Sequence, residues 1–348
     1  MQNIKSGMMK TNSVFIIAEL SANHNGSIDI AKETIRAAKR TGADAIKLQT
    51  YTADTITLDS DKEDFVIEGT IWEGRKLYDL YQEAYTPWEW HAELFRTAKE
   101  EGLVCFSSPF DKTAVDLLES LNNPIYKIAS FEITDIPLIE YVASKGKPVI
   151  ISTGIAEYDD IKLAIETCRK AGNNDITFLK CTSSYPAPID EANLVMMQRF
   201  AKDFKVKVGL SDHTLGTTVP VVATALGATV IEKHFILDKS IGGPDASFSL
   251  DEKEFTEMVT AVRNAEKALG KESYDLTEKQ KAGKAFARSL YVAEDIKAGE
   301  VITEKNVRSV RPGFGLHPKF MPEILGMRAN QDLEKGDRFE LNLIEERL

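Results

Sequence analysis

The chain predicts an α/β fold: a TIM (β/α)8 barrel followed by a small C-terminal domain. Its 348 residues exceed the usual single domain but suit a barrel with an appendix. From Val14 to about Lys267, short β-branched runs alternate with longer amphipathic segments, the pattern of a parallel sheet covered by helices. After a polar stretch the pattern changes to short strands and turns. Eight βα units fill roughly the 250 residues typical of a barrel. The structural alternative, an open doubly wound sheet, lacks its Gly-rich phosphate fingerprint: Glu19-Leu20-Ser21-Ala22-Asn23-His24-Asn25-Gly26 follows the first strand instead.

The strands are read at Val14–Leu20, Ala45–Tyr51, Val104–Pro109, Ile125–Ser130, Pro148–Thr153, Ile176–Cys181, Lys207–Ser211 and Thr229–His234. Helical periodicity covers Ile28–Arg40, Pro87–Glu101, Lys112–Leu121, Pro137–Lys145, Tyr158–Ala171, Glu191–Asp203, Thr217–Leu226 and Leu250–Leu269. The second βα connection, Thr52 to Tyr85, is long and aromatic, and ordered loops of that length on a barrel rim are usually functional. The barrel domain is set at 1–269, a linker at 270–284 and the small domain at 285–348, where Ser289–Ala293, Ile296–Glu300 and Val301–Thr303 read as strands and turns ahead of Arg311-Pro312-Gly313. So short a domain buries little core, and docking on another surface is expected.

With 43% hydrophobic and 28% charged residues, the composition is that of an ordinary globular protein. A net charge of -11 without a long basic run argues against a nucleic-acid or anionic-membrane partner. Cys105, Cys168 and Cys181 show no paired metal spacing and read as reduced thiols. Met1–Lys10 lacks the apolar core of a signal peptide and no later stretch is long enough to span a bilayer, so a cytoplasmic location is expected.

Two of the five histidines end consecutive apolar strands, His213 after Val208-Gly209-Leu210-Ser211-Asp212 and His234 after Val230-Ile231-Glu232-Lys233. Side by side at one rim they could hold a single divalent metal; alone, either would more simply be a buried histidine satisfied by backbone. Nearly every strand delivers a polar group to that rim: Glu19, Lys47 and Gln49, Ser107 and Ser108, Lys127 and Ser130 with Glu132 just beyond, Ser152 and Thr153, Ser183 and Tyr185, and Ser211. Strand alternation sends Lys47 and Gln49 to one face, the barrel interior. A buried lysine needs a partner, either a salt bridge to Glu19 or Glu232 or, for two lysines among hydroxyls, a bound phosphate. Asp245 in Gly242-Gly243-Pro244-Asp245 either brings a carboxylate over the rim or closes a turn. Asp212 beside His213 points the opposite way along the strand and is a weak candidate to orient it.

The ordered motifs Asn23-His24-Asn25-Gly26, Lys127-Ile128-Ala129-Ser130, Ser211-Asp212-His213-Thr214, Glu232-Lys233-His234-Phe235 and Gly243-Pro244-Asp245 resemble the sialic acid synthase family, and the tail with Arg311-Pro312-Gly313 and Ile324-Leu325-Gly326 resembles its antifreeze-like (SAF) domain. The resemblance implies condensation of phosphoenolpyruvate with an N-acetylated amino sugar. It places Mn or Mg on His213 and His234, and phosphoenolpyruvate among Lys47, Lys127, Ser130, Ser152, Ser183 and Ser211. Gln49, Tyr185 and Asp245 would face the sugar, and Glu19 and Glu132 would be the acid/base candidates. In the family, an antifreeze-like-domain arginine, here Arg311, reaches the other subunit's site in a domain-swapped homodimer. Leu48-Gln49-Thr50-Tyr51-Thr52 and the segment from Leu77 through Trp90 look like pseudaminic acid synthases, which take a 2,4-diacetamido-2,4,6-trideoxy-L-altrose. Ser183 departs from the Asn that sialic acid synthases carry there. The rivals are N-acetylneuraminate and legionaminic acid synthases, a phosphosugar aldolase with a Schiff base on Lys127 or Lys180, and a carbohydrate-binding protein with a degenerate barrel.

Overall fold

The computed structural model describes residues Ser13 to Glu345. The Met1–Lys10 segment weighed as a signal peptide and the domain ends set at Met1 and Leu348 lie outside the described residues. The chain divides between Gly270 and Lys271 into two compact units.

The first unit is a closed parallel barrel of eight strands in sequence order. They are β1 (Phe15–Glu19), β2 (Ala45–Thr50), β3 (Val104–Pro109), β4 (Tyr126–Ile128), β5 (Val149–Ser152), β6 (Ile176–Cys181), β7 (Lys207–Asp212) and β8 (Val230–His234). Outside them run α1 (Ile28–Arg40), α2 (Ala53–Ile56) and α3 (Leu77–Ala84) in the second connection, α4 (His91–Glu100), α5 (Lys112–Ser120), α6 (Ile136–Ala143), α7 (Tyr158–Lys170), α8 (Met196–Phe204), α9 (Thr218–Ala225) and α10 (Glu252–Leu269). In α1, Ala31, Thr34, Ile35 and Ala38 recur at helical spacing and are buried, and the Ser27 side chain caps its first turn by accepting from Ile30 N. No helix among the described residues is long and apolar enough to cross a membrane.

Register makes the interior. Ile17 pairs with Ala45 and with Glu232, and Glu19 pairs with Lys47 and with His234, so successive inward residues form stacked layers. Ile17, Ala45, Phe106, Ile125, Ile150, Leu179 and Val230 make an apolar floor. One step nearer the C-terminal ends the inward residues turn polar, which places the chemistry above a dry plug. Gly209 lies in this floor where a Cβ would stand 2.4 Å from the Val230 carbonyl oxygen and 2.8 Å from Leu179 Cδ2. Gly209→Ala is therefore expected to lower stability by about 1–3 kcal/mol, read as an earlier midpoint in urea unfolding.

Most boundaries move by a residue or two, and the helix expected from Pro87 begins at His91 after a separate 3-10 turn at Trp88–Trp90; two further differences have local reasons. The fourth strand, expected to reach Ser130, ends at Ile128, because Ser130–Glu132 tightens into a 3-10 turn that folds back over the rim. The helix read from Glu191 begins at Met196, since Ile189–Glu191 is a separate 3-10 turn and Asn193 takes a left-handed φ of 41°.

The second unit holds α11 (Glu278–Gly283), then β9 (Ser289–Val292) antiparallel to β10 (Val307–Val310), and α12 (Met321–Ile324). Its own small core includes Leu290, Val292, Ile302, Val307, Ile324 and Phe339. The runs read at Ile296–Glu300 and Val301–Thr303 are single bridges, Ile296 to Leu333 and Val301 to Arg328.

Candidate active site

A cavity of about 360 Å³ opens above the floor at the C-terminal ends of the strands. Every predicted site residue of the first unit lines it except Ser108, which is fully buried with its Oγ 3.5 Å from Lys47 Nζ. Arg311 belongs to the second unit, exposed just after β10.

At the base, Lys47 Nζ sits 2.7 Å from Glu19 Oε1 and 3.5 Å from Glu232 Oε1, with all three side chains nearly inaccessible. Both pairings open to the sequence are thus made at once. Lys127 shares Glu232 from 3.6 Å and donates to its neighbour's carbonyl, Ile128 O, at 3.1 Å. Burial opposes charge on both lysines, with opposite outcomes. The carboxylates of Glu19 and Glu232 overcome it at Lys47 and raise its pKa, whereas at Lys127 burial prevails and the pKa is lowered. Lys127 is the less satisfied cation, the one better disposed to accept an arriving anion.

Burial alone would raise the Glu19 pKa. The charges of His234 and Lys47 and hydrogen bonds from Lys47 and Gln49 reverse this and hold the carboxyl well below its ordinary range. Glu132 behaves oppositely: burial pushes its pKa up to about 7, with the Lys127 charge offsetting part of the rise, and its buried Oε2 has no hydrogen-bond partner. Of the two acid/base candidates, one stays ionised and the other changes state near neutrality. Because the folded pKa lies above the unfolded value, the stability Glu132 contributes is full below about pH 4.5 and is lost as pH rises through about 7. Glu132→Gln should then exceed the parent in stability by roughly 2–3 kcal/mol at pH 8 and match it near pH 4, as measured by denaturant melts at the two pH values.

The two histidines meet as the strand ends suggest, with ring centroids 5.3 Å apart. His213 Nδ1 lies 2.9 Å from the Thr182 carbonyl, which fixes the ring and leaves Nε2 unengaged. His234 Nε2 is 3.3 Å from Glu19 Oε2, and its buried Nδ1 has no hydrogen-bond partner. Among the described residues no cluster of three or more His, Cys, Asp or Glu side chains encloses a metal site. Two imidazoles with a free buried nitrogen fit an ion that draws its remaining ligands from substrate and water.

Ser130 Oγ accepts from Gly154 N at 3.0 Å, and the Ser152 Oγ is buried without a partner. Ser183 Oγ and Ser130 Oγ crowd the space where a Gly154 Cβ would be, 2.0 and 2.7 Å away, so hydroxyls and a backbone amide converge in the cavity that Lys127 also lines. Ser211 donates to Glu232 at 3.2 Å. On the opposite side, Gln49 donates to Glu19 and Ser21, and Ser21 donates to Asp245, whose Oδ2 lies 3.8 Å from His234 Nδ1. Tyr185 packs on His213 at 4.5 Å and on Phe248 at 5.0 Å.

Sequence reasoning did not select Ser21, whose left-handed φ of 48° turns it back over the barrel mouth. It weighed Glu232 only as a partner for lysine, although that carboxylate ties both lysines and Ser211 together. Asp212 points away from the cavity and forms an ion pair with Lys233. His24 and His91 are tied to local groups, His24 to Gly26 N and Thr86, His91 to Thr50 and Pro87 O. Lys180 does not line the cavity, and its Nζ donates to Cys181 O at 2.7 Å. All three cysteines are free thiols.

A NeuB family profile matches residues 34–274 and a SAF domain profile matches residues 287–338. The chain belongs to the NeuB family. It is 55% identical over 324 residues to a pseudaminic acid synthase of Campylobacter jejuni subsp. jejuni serotype O:23/36 (strain 81-176), covering 93% of this chain and 94% of the relative. A pseudaminic acid synthase of Helicobacter pylori (strain ATCC 700392 / 26695) is 51% identical, with 96% and 98% covered. The crystal structure of N-acetylneuraminic acid (sialic acid) synthetase from Leptospira borgpetersenii serovar Hardjo-bovis, in complex with citrate, superposes with a TM-score of 0.69 at 30% identity, covering 78% of this chain and 90% of that one.

Proposed function

We propose that this NeuB-family chain is a pseudaminic acid synthase, a transferase that condenses phosphoenolpyruvate with the open-chain aldehyde of 2,4-diacetamido-2,4,6-trideoxy-L-altrose. The observation that carries this reading is a strand-end site of two lysines, converging hydroxyls and paired histidines, in a chain 55% and 51% identical to pseudaminic acid synthases over nearly all its length. Identity of 30% to the N-acetylneuraminic acid synthetase favours the diacetamido sugar over N-acetylmannosamine. The legionaminic acid precursor is the remaining alternative of the same chemistry.

In this reading Lys127, Lys47 and the hydroxyls of Ser130, Ser152, Ser183 and Ser211 hold the phosphate and carboxylate of phosphoenolpyruvate above the apolar floor, with Ser108 supporting Lys47. Its C3 attacks the aldehyde carbon, water adds at C2, and phosphate departs by C–O cleavage. A divalent cation, Mn or Mg, held by His213 and His234 would polarise the aldehyde oxygen and stabilise the developing alkoxide. Gln49, Tyr185 and Asp245 orient the sugar. Glu19, fixed in its ionised form, orients His234 and Gln49, and Glu132, which titrates near neutrality, moves the proton of the attacking water.

The same reading assigns residues 1–269 to the synthase domain, 270–284 to a linker and 285–348 to the antifreeze-like domain of a cytoplasmic, domain-swapped homodimer. Arg311 would then act at the other subunit's site. Mixing Arg311→Ala chains with His213→Ala chains should restore activity that neither has alone; verified mixed dimers without rescue would remove the contribution in trans. The substrate is tested by phosphate release from phosphoenolpyruvate with Mn present, comparing the altrose with N-acetylmannosamine. Release with the altrose supports the proposal, and preference for N-acetylmannosamine makes the chain a sialic acid synthase.

A further inference from the structure

We propose that the connection between β2 and α4 forms an apolar wall that receives the C6 methyl end of the sugar and thereby selects a 6-deoxy substrate. This rests on the substrate reading above and names the residues that would enforce it.

Between Thr52 and Tyr85 the connection carries twelve charged residues, and among the described residues none of them lines the cavity. The side chains it does present there include Ile56, Ile67, Trp72, Leu77, Leu80 and Tyr81. Apart from the hydroxyls of Thr70 and Tyr81, the wall offers no polar group beyond the indole N–H, which is engaged elsewhere. Five of these charges are paired with groups of the same connection: Lys76 with Asp61, Arg75 with Glu83, and Asp54 with the Tyr78 hydroxyl. So polar a segment that shows the cavity an uncharged face is sorted by side, as an amphipathic lining is.

The wall is also held in place. Trp72 Nε1 donates to Pro244 O at 3.2 Å, and its ring packs on Tyr185 at 5.8 Å, which joins the connection to the loop that carries Asp245. Tyr81 packs edge-on against Tyr51 at 5.6 Å, and Tyr51 against Phe110 at 5.1 Å. The cavity lining therefore joins polar groups at His213, His234, Gln49 and Asp245 to an apolar face on this connection, the two meeting where Trp72 packs on Tyr185 beside His213. An aldehyde carbon at the histidines leaves the far end of a six-carbon chain for the apolar wall. A methyl group there loses nothing on leaving water, whereas a hydroxyl must find one of two phenolic or alcoholic partners, and a phosphate finds no counter-charge.

The test is the ratio of kcat/KM, from phosphate release, for the 6-deoxy diacetamido altrose over its 6-hydroxy counterpart. The wild type should favour the 6-deoxy sugar by about 10- to 100-fold, the range an apolar pocket achieves against an added hydroxyl. Leu77→Gln and Ile67→Thr, both at half-buried wall positions, should narrow that ratio by about 5- to 10-fold each while leaving KM for phosphoenolpyruvate unchanged. Equal use of both altroses by the wild type, or a ratio that neither variant moves, would overturn the wall and leave the synthase reading standing. Turnover of N-acetylmannosamine with neither altrose accepted would overturn both, since that sugar carries the C6 hydroxyl.

Discussion

Lys127→Met is expected to lower kcat/KM for phosphoenolpyruvate by on the order of 100- to 1000-fold with the fold intact, the loss that follows removal of one preorganised donor at a charged reacting group. Lys47→Met should add a second injury. Lys47 is the cation closest to Glu19, at 2.7 Å, and shares Glu232, so its removal strands buried carboxylates and should cost about 3–5 kcal/mol of stability. Lys127 stands 3.6 Å from Glu232, its pKa is lowered by burial, and Glu232 keeps Lys47 when it is gone. Steady-state kinetics with denaturant melts on the two variants separate the roles. Equal destabilisation by both would show that the two lysines are one structural cluster with no division between anchor and anion receiver.

Asp212→Asn should destabilise the barrel nearly as much without touching the cavity. The Asp212–Lys233 pair spans β7 and β8 at 1% and 0% side-chain exposure. Asp212 Oδ1 also accepts from Thr214 N and Oγ1, and Lys233 donates to Thr214 O, so the pair fastens the chain where it leaves β7. Losing one partner leaves a buried ammonium uncompensated, a cost of about 3–5 kcal/mol and a Tm drop of roughly 10 °C. Replacing both, as Asp212→Leu with Lys233→Met, should recover most of that, because two apolar side chains avoid the desolvation penalty. Recovery is incomplete where the Thr214 N–H stays unpaired. A double variant no more stable than Asp212→Asn would show that the staple to Thr214 outweighs the ion pair.

The barrel was legible because parallel strands buried on both faces read as unbroken apolar runs, and the polar groups closing those runs mark one rim. Period-two alternation sufficed to send Lys47 and Gln49 inward and Asp212 away from His213's side. What the sequence did not show lies off the strands. Ser21 reaches Asp245 only because a left-handed residue reverses the chain, and the 3-10 turn at Ser130–Glu132 that brings Glu132 over the rim has no periodic signature. The second connection stood out by length and aromatic content, but which of its residues face the cavity depends on ion pairs within it and on contacts distant in sequence. The Asn23-His24-Asn25-Gly26 motif, part of the family resemblance, proves to be loop architecture: Asn23 Nδ2 donates to Phe235 O and Ser249, and the His24 pKa is lowered to about 4, chiefly by burial.

The most direct test of the account places a heavy-oxygen label in the bridging C–O–P position of phosphoenolpyruvate and follows the phosphate released on turnover with the diacetamido altrose by phosphorus NMR. Carbon attack with C–O cleavage predicts that the label leaves with the phosphate. Unlabelled phosphate would mean P–O cleavage and would contradict the condensation assigned to this site.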